Sequence, residues 1–171
     1  MGYELETSVV LEASRVVPPP RPNPDVTTRG LRSDEDWEQA TRNQILCNEG
    51  EEPGEAFRVF KQRQMRSYRR MAEAGMGDWF GAFDGARLVA DLGLFLEDGL
   101  ARYQQVVTAS AWRRRGICAT LVHAAACRAL ESMDTRTLVL VADHGGPAER
   151  IYRSLGFEPS EQLSQLEKVI R

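Results

Sequence analysis

The residues best suited to chemistry lie in the segment SAWRRRGICATL, residues 110–121, where three arginines and a glycine precede an apolar, helix-like run. The first four backbone N–H groups of a helix have no partner within the helix, and their dipoles place about half a positive charge at that end. Arg113, Arg114 and Arg115 oppose this dipole unless an anion neutralises them. The segment therefore predicts a binding site for a compact polyanion such as a pyrophosphate.

The overall composition indicates that this positive charge is confined to one part of the chain. The chain has 171 residues, a net charge of -3, 42% hydrophobic residues and 27% charged residues, which is typical of one globular domain. This charge balance indicates no general basic field for nucleic acid or for anionic lipid.

Other features predict a cytoplasmic protein without a metal site. No apolar run approaches the roughly 20 residues of a membrane span, and the N-terminus lacks the basic start and apolar core of a signal peptide. Three cysteines lack metal-ligand spacing, so we expect reduced thiols. They are Cys47, Cys118 and Cys127.

The first 25 residues predict an arm strand followed by a strap. YELETSVVLEA alternates apolar and polar residues with a period of two, which favours a half-buried strand within residues 1–17. The proline-rich stretch PPPRPNP makes residues 18–25 an extended, stiff strap. We expect the arm to pack on a sheet within the chain, with a second subunit of a homodimer as the alternative. Residues 26–171 form the main domain.

The main domain predicts a mixed arrangement of strands and helices. Asp84-Gly85 and Asp98-Gly99 separate three strand-like runs within residues 79–108, which predicts an antiparallel meander. The other predicted elements are a strand at 26–32, a helix capped by Ser33, a loop at 48–54, helices at 55–74 and 116–131, a buried strand at 135–143, a short helix from Pro147 and an edge strand within 163–170. This order predicts an α/β (α+β) fold, with a mixed, mainly antiparallel sheet and helices on both faces.

Two motifs together resemble the GNAT N-acetyltransferase superfamily. RRRGIC is similar to the family's acetyl-CoA signature Q/R-x-x-G-x-G/A, with Arg113 in the first place and Gly116 in the fourth. Cys118 stands where the family usually has Gly or Ala. AERIYRSLGF matches the family's A-x-x-x-Y-x-x-x-G-F segment at Ala148, Tyr152, Gly156 and Phe157. Gly145 replaces an Asn that is common three residues before that alanine, and the resemblance spans about residues 26 to 171.

The resemblance implies a sheet that splays open between the strand ending near Thr108 and the strand at 137–142. Pantetheine of acetyl-CoA would lie in that gap and pair with the backbone of two valines, while the N–H groups of the arginine-glycine turn would bind the pyrophosphate. Thr120 would add its hydroxyl. The implied coenzyme-binding residues are Val106, Val107, Arg113, Arg114, Arg115, Gly116, Ile117, Cys118, Ala119, Thr120 and Ala148.

The implied reaction is direct attack of a neutral primary amine on the acetyl-CoA thioester. A lysine-like amine with a pKa of about 10.4 is neutral only about once in 2,500 molecules at pH 7, so the reaction needs a base for the amine and an acid for the departing sulfur. Tyr152 stands where the family has its tyrosine and is the expected acid. The base stays open among Asp91, Glu97, Asp98 and Gln104, of which Glu97 and Asp98 are expected at a hairpin tip.

Two other functions stay open. A non-catalytic CoA-binding or acyl-CoA-binding regulatory module on the same fold would account for the missing Asn and the lack of an obvious base. A nucleic-acid-binding domain would use RRRG together with KQRQMRSYRR, residues 61–70, although the net charge argues against it.

For the enzyme, we expect a small-molecule or peptide amine as acceptor. We expect His123 to be a surface or packing residue, and His144 to lie near the mouth of the cleft.

Overall fold

The computed structural model describes residues 2–47 and 53–169, in which seven strands form one sheet. The strands are β1 (Gly2–Ala13), β2 (Thr27–Gly30), β3 (Gly77–Asp84), β4 (Arg87–Glu97), β5 (Leu100–Thr108), β6 (Thr137–Asp143) and β7 (Glu158–Val169). The α-helices are α1 (Asp34–Leu46), α2 (Glu55–Glu73), α3 (Ile117–Ser132) and α4 (Pro147–Ser154). A 3-10 turn over Ser110–Trp112 precedes α3. Of the predicted loop at 48–54, residues 48–52 lie outside the described residues.

The sheet has the strand order β2-β3-β4-β5-β6-β1-β7. Every neighbouring pair is antiparallel except β5 and β6, which are parallel. The predicted mixed, mainly antiparallel sheet is therefore confirmed. The predicted meander is also confirmed: Asp98 and Gly99 both have positive φ in the β4–β5 turn, at 51° and 81°.

The arm strand β1 lies between β6 and β7 and is antiparallel to both. It pairs with the edge of β6, as expected for packing within the chain. On its other side it pairs with β7, which is the outermost strand of the sheet. On the predicted apolar face, Val9 and Leu11 are buried, whereas Leu5 is 65% exposed. The arm is thus an integral strand of the domain's sheet.

Two hydrophobic cores lie on opposite faces of the sheet. The larger contains the buried faces of α3 and α4, and the smaller contains those of α1 and α2. Alternation along β3 places Phe80 in the larger core and Trp79 and Phe83 in the smaller one. Helices therefore cover both faces, as predicted. Four of the seven β6 residues are buried, but Val141 is 39% exposed, so the predicted burial on both faces is not complete.

The start of α1 is fixed by a capping box. The Ser33 hydroxyl accepts a bond from the Asp36 backbone N–H at 3.1 Å, and the Asp36 carboxylate accepts one from the Ser33 N–H at 3.2 Å. Arg29 of β2 donates two bonds to the same carboxylate at 2.7 and 2.8 Å. The Arg29 guanidinium and the backbone N–H groups of Arg32 and Ser33 hold the pKa of Asp36 well below its usual range.

Candidate active site

The sheet opens between β5 and β6. These strands pair only over three residues each, 100–102 with 137–139. Beyond that point β5 continues to Thr108 and β6 to Asp143 without pairing to one another. The predicted splay is therefore confirmed, and Val106 and Val107 lie on the part of β5 that faces the gap.

A β-bulge shapes the end of β5. The register with β4 shifts between the pair Asp91–Val107 and the pair Gly93–Gln104, and Gln105 has a φ of 51°. The extra residue of a bulge bends its strand and increases the local twist. The bulge therefore bends β5 at Gln105, three residues beyond its last pair with β6.

Side chains of α1 and α2 support this bulge. Gln44 donates from Nε2 to the backbone oxygen of Gln105 at 2.8 Å. Lys61 donates from Nζ to Gln105 Oε1 at 2.6 Å and to Gln64 Oε1 at 3.1 Å. Lys61 is 8% exposed, and this burial lowers the pKa of its ammonium group. The bulge is thus tied into the packed interior by both its backbone and its side chain.

Asp91 is the charged group at the centre of this support. Its carboxylate accepts bonds from Asn43 Nδ2 at 2.7 Å, Gln44 Nε2 at 2.7 Å and Trp79 Nε1 at 3.0 Å. The side chain is fully buried, and burial raises the pKa of Asp91 to about 7 although the three donors and the Lys61 charge act in the opposite direction. Asp91 faces α1 rather than the gap, so it does not contact an acceptor amine there.

Two of the remaining base candidates lie far from the bulge. Glu97 ends β4 and Asp98 lies in the β4–β5 turn, at the other end of the hairpin, as the sequence predicted. Gln104 is next to the bulge residue and is half-buried.

The arginine-glycine turn lies between the 3-10 turn and α3. Gly116 is the helix N-cap and has a φ of 77°, in the left-handed region that favours glycine. Across residues 2–47 and 53–169, no backbone N–H group from Arg114 to Ala119 donates a hydrogen bond to the protein. Six successive free donors at the positive end of a helix suit an anion.

The three arginine side chains beside these donors are exposed. Arg113 donates from Nε to the Thr108 backbone oxygen at 3.2 Å, and the Arg115 guanidinium lies 4.9 Å from the centre of the Trp112 ring. None of the three forms an ion pair with a residue that the structure describes. Their charges are therefore free to pair with an anion in the turn.

The first turn of α3 joins these donors to the larger core. Ile117 is 1% exposed and anchors the helix start. Burial raises the pKa of Cys118 to about 11, so this residue is a thiol at neutral pH. The Thr120 hydroxyl donates to the Gly116 backbone oxygen at 2.9 Å and accepts from the Asn23 backbone N–H at 2.9 Å. The hydroxyl that was expected to reach phosphate is thus bonded within the chain.

Tyr152 lies on α4 and is 4% exposed. Burial, with a smaller contribution from nearby Cys118, raises the pKa of Tyr152 well above its ordinary value. Its hydroxyl makes no hydrogen bond to any residue in the described part of the chain. The phenol therefore keeps its proton at neutral pH and has it available for a ligand. Ala148, in the first turn of the same helix, is half-buried against the larger core.

The two histidines lie outside this arrangement. His123 lies on α3 with a ring nitrogen 3.7 Å from Cys127 Sγ, and burial lowers its pKa. His144 is exposed, with Nδ1 3.6 Å from a carboxylate oxygen of Glu149.

No group of three or more metal-ligating side chains occurs among the described residues. No helix in the described ranges is long and apolar enough to cross a membrane.

Sequence reasoning missed the residues that support the bulge and the turn. Gln44 follows Trp37 and Ala40 at the spacing of a buried helical stripe. A polar residue at such a position is a signal of a buried hydrogen-bond partner. No comparable local signal marks Lys61 or Asn23, whose partners are distant in sequence.

Comparison with known proteins agrees with this architecture. The family model described as "Acetyltransferase (GNAT) domain" matches residues 76–159, which include the gap, the arginine-glycine turn and Tyr152. No curated protein matches the chain.

Solved structures with a similar fold include GCN5-related N-acetyltransferases from Kribbella flavida (22% identity, TM-score 0.67) and Sphaerobacter thermophilus (21% identity, TM-score 0.70). They cover 96% and 97% of this chain, whereas this chain spans only 59% and 53% of theirs. A transcriptional regulator from Bacillus halodurans is also similar, with 24% identity and a TM-score of 0.62 over 85% of this chain and 98% of its own.

Proposed function

Residues 76–159 belong to the GNAT acetyltransferase domain family, and from this premise we propose that the chain transfers an acetyl group from acetyl-CoA to a primary amine. The domain supports acetyl transfer in general. Acetyl-CoA as the donor, the amine acceptor and direct attack on the thioester are the specific parts of the proposal.

The observation that carries the proposal is the row of six free N–H donors from Arg114 to Ala119. A diphosphate needs several donors converging from one side, and the N-terminus of a helix supplies them together with a favourable dipole. The three exposed arginines add charges that suit both the diphosphate and the 3′-phosphate of the coenzyme. The donors lie just beyond the end of β5, at the open end of the gap.

The gap suits the rest of the coenzyme. The edge of β5 at Val106 and Val107 has no strand partner on the β6 side, so pantetheine amides can pair with it in the manner of an added strand. The acceptor amine attacks the thioester carbonyl after losing a proton to water. As the carbon–sulfur bond breaks, Tyr152 donates its phenolic proton to the departing thiolate, and the proton that the attacking nitrogen loses on becoming an amide returns to the phenolate through water. Burial raises the pKa of Tyr152, so the phenol is protonated at neutral pH before the reaction.

Calorimetric titration with acetyl-CoA and a thiol-release assay over an amine panel test the proposal. We expect acetyl-CoA to bind the wild-type protein and CoA release to require an amine. A variant with alanine at residues 113, 114 and 115 should bind at least about tenfold more weakly, since bonds to charged groups contribute about 1.5–3 kcal/mol each. Arg63→Ala, which removes an exposed arginine of α2, is the matched control. Absence of acetyl-CoA binding by the wild type would overturn the proposal.

A non-catalytic CoA-binding module is the second candidate. It is favoured by the full burial of Asp91 and by the position of Glu97 and Asp98 at the far end of the hairpin, which leaves no carboxylate base for the amine among these three. Tight CoA binding without thiol release over the whole amine panel would select this candidate over the enzyme.

A further inference from the structure

The segment between β1 and β2, which includes the strap, lies on the face of the sheet that carries α3 and α4. The Val17 N–H donates to the Leu155 backbone oxygen at the end of α4, at 2.9 Å. Further along, the Arg21 backbone carbonyl lies directly against Gly116, where a Cβ atom would collide with it. The strap thus runs from α4 to the arginine-glycine turn, and the absence of a side chain at Gly116 lets it approach.

Asn23 bonds to both sides of Gly116. Its backbone N–H donates to Thr120 Oγ1 at 2.9 Å, and its side-chain Nδ2 donates to the Arg115 backbone oxygen at 2.8 Å. The other side-chain atom, Oδ1, accepts bonds from the backbone N–H groups of Asp25 and Val26 at 2.9 and 3.2 Å. Because these two bonds orient the amide, Nδ2 points at Arg115 without a further loss of rotamer freedom.

The bond to Arg115 decides which donors stay free. In a helix that began one turn earlier, the Arg115 carbonyl would accept the N–H of Ala119, four residues on. Here that carbonyl accepts from Asn23 instead, and the Ala119 N–H has no acceptor in the described part of the chain. The strap therefore satisfies the carbonyl that would otherwise compete with an anion for the last of the six donors.

We propose that Asn23 and Thr120 are positioning residues that clamp the arginine-glycine turn in its anion-accepting form, so that the strap sets the affinity for the nucleotide half of the coenzyme. This inference rests on the proposed binding of CoA at the turn. It assigns the strap a role in ligand binding in addition to linking β1 to β2.

The test compares two halves of the coenzyme as separate probes, 3′-phospho-ADP and S-acetylpantetheine. Asn23→Ala and Thr120→Val should each bind CoA and 3′-phospho-ADP about tenfold more weakly, the loss typical of one misplaced charge-assisted donor. Neither change should alter the affinity for S-acetylpantetheine. Thr120→Ser, which keeps the hydroxyl, should bind as the wild type does, and Ser14→Ala, at an exposed position directly after β1, serves as the control.

Hydrogen exchange of the ligand-free proteins gives an independent measurement. The Ala119 amide should exchange more slowly in Asn23→Ala than in the wild type, because the Arg115 carbonyl becomes available to it. Wild-type affinity for 3′-phospho-ADP in both variants would overturn the clamp and leave the proposed function standing, and so would an equal loss for S-acetylpantetheine. If Asn23→Ala does not fold, Thr120→Val alone decides. If the wild type does not bind CoA, the proposed function and the clamp both fail.

Discussion

Replacing Asp91 with asparagine should change how the stability of the protein depends on pH. Burial raises the pKa of Asp91 from 3.8 to about 7, so between these values the folded state binds more protons than the unfolded state. The free energy of unfolding then falls as pH rises, by up to about 1.4 kcal/mol per pH unit for this group. Over the roughly three units of the shift, the upper limit is about 4 kcal/mol.

The Asp91→Asn variant has an amide in place of the carboxyl group and does not titrate there, so this contribution should vanish. Urea unfolding followed by tryptophan fluorescence, at about pH 4.5, 5.5, 6.5 and 7.5, measures both proteins. The difference in unfolding free energy, wild type minus variant, should decrease steadily across this series and level off above about pH 7. A difference that stays constant or grows with pH would refute the reasoning that Asp91 is held in a site where burial outweighs its three donors.

Asp36 provides a control of opposite sign. Arg29 holds the pKa of Asp36 below its usual range, so its contribution to stability is present above the unfolded-state pKa of about 4 and is lost as pH falls below that value. The difference between the wild type and Asp36→Asn should therefore be constant from neutral pH to about pH 4 and shrink at lower pH. The two variants together distinguish a specific titration from a general effect of acid.

Three further predictions concern Tyr152, Cys118 and the arm strand. Tyr152→Phe should lower kcat by about 100-fold or more with unchanged affinity for CoA, as expected when a general acid is lost; an unchanged kcat would exclude Tyr152 as the acid. Because burial raises the pKa of Cys118 to about 11, about one molecule in 3,000 carries the thiolate at pH 7.5. In a mass-spectrometric time course, iodoacetamide should therefore react with Cys118 far more slowly than it reacts with free glutathione. Equal rates for the two thiols would contradict the burial of Cys118. Deleting residues 1–13 removes the strand that pairs with both β6 and β7, so light scattering and circular dichroism should detect aggregation and loss of cooperative unfolding, whereas a monomer of unchanged Tm would show that β1 is dispensable.

Periodicity and turn chemistry predicted most elements of this fold. The positive φ values of Asp98 and Gly99 are local requirements of a two-residue hairpin, and the Ser33 cap is likewise decided by a few neighbouring residues. Such features are visible in sequence because their causes lie within one turn or one strand. The place of the gap, in contrast, came from a family resemblance rather than from the pattern of residues.

The features that the sequence did not predict depend on contacts between distant segments. Gln105 adopts a positive φ although glutamine has no preference for it, because Gln44 and Lys61 bind its backbone and side chain. PPPRPNP indicates a stiff segment, but its docking on Gly116 depends on Asn23 meeting residues more than 90 positions away. Leu5 has a core-like place in the alternation and is nevertheless exposed, on the part of β1 that precedes its pairing with β6.

The location of β1 has a consequence for biosynthesis. Val10 pairs with Val141 on one side and with Glu161 on the other, so a ribosome must add about 130 residues after β1 before this strand meets its neighbour. At translation rates of about 5–20 residues per second, this takes on the order of ten seconds. During that interval the nascent chain exposes Val9 and Leu11 of β1 to chaperones and to other emerging chains, and slow elongation should lower the yield of native protein.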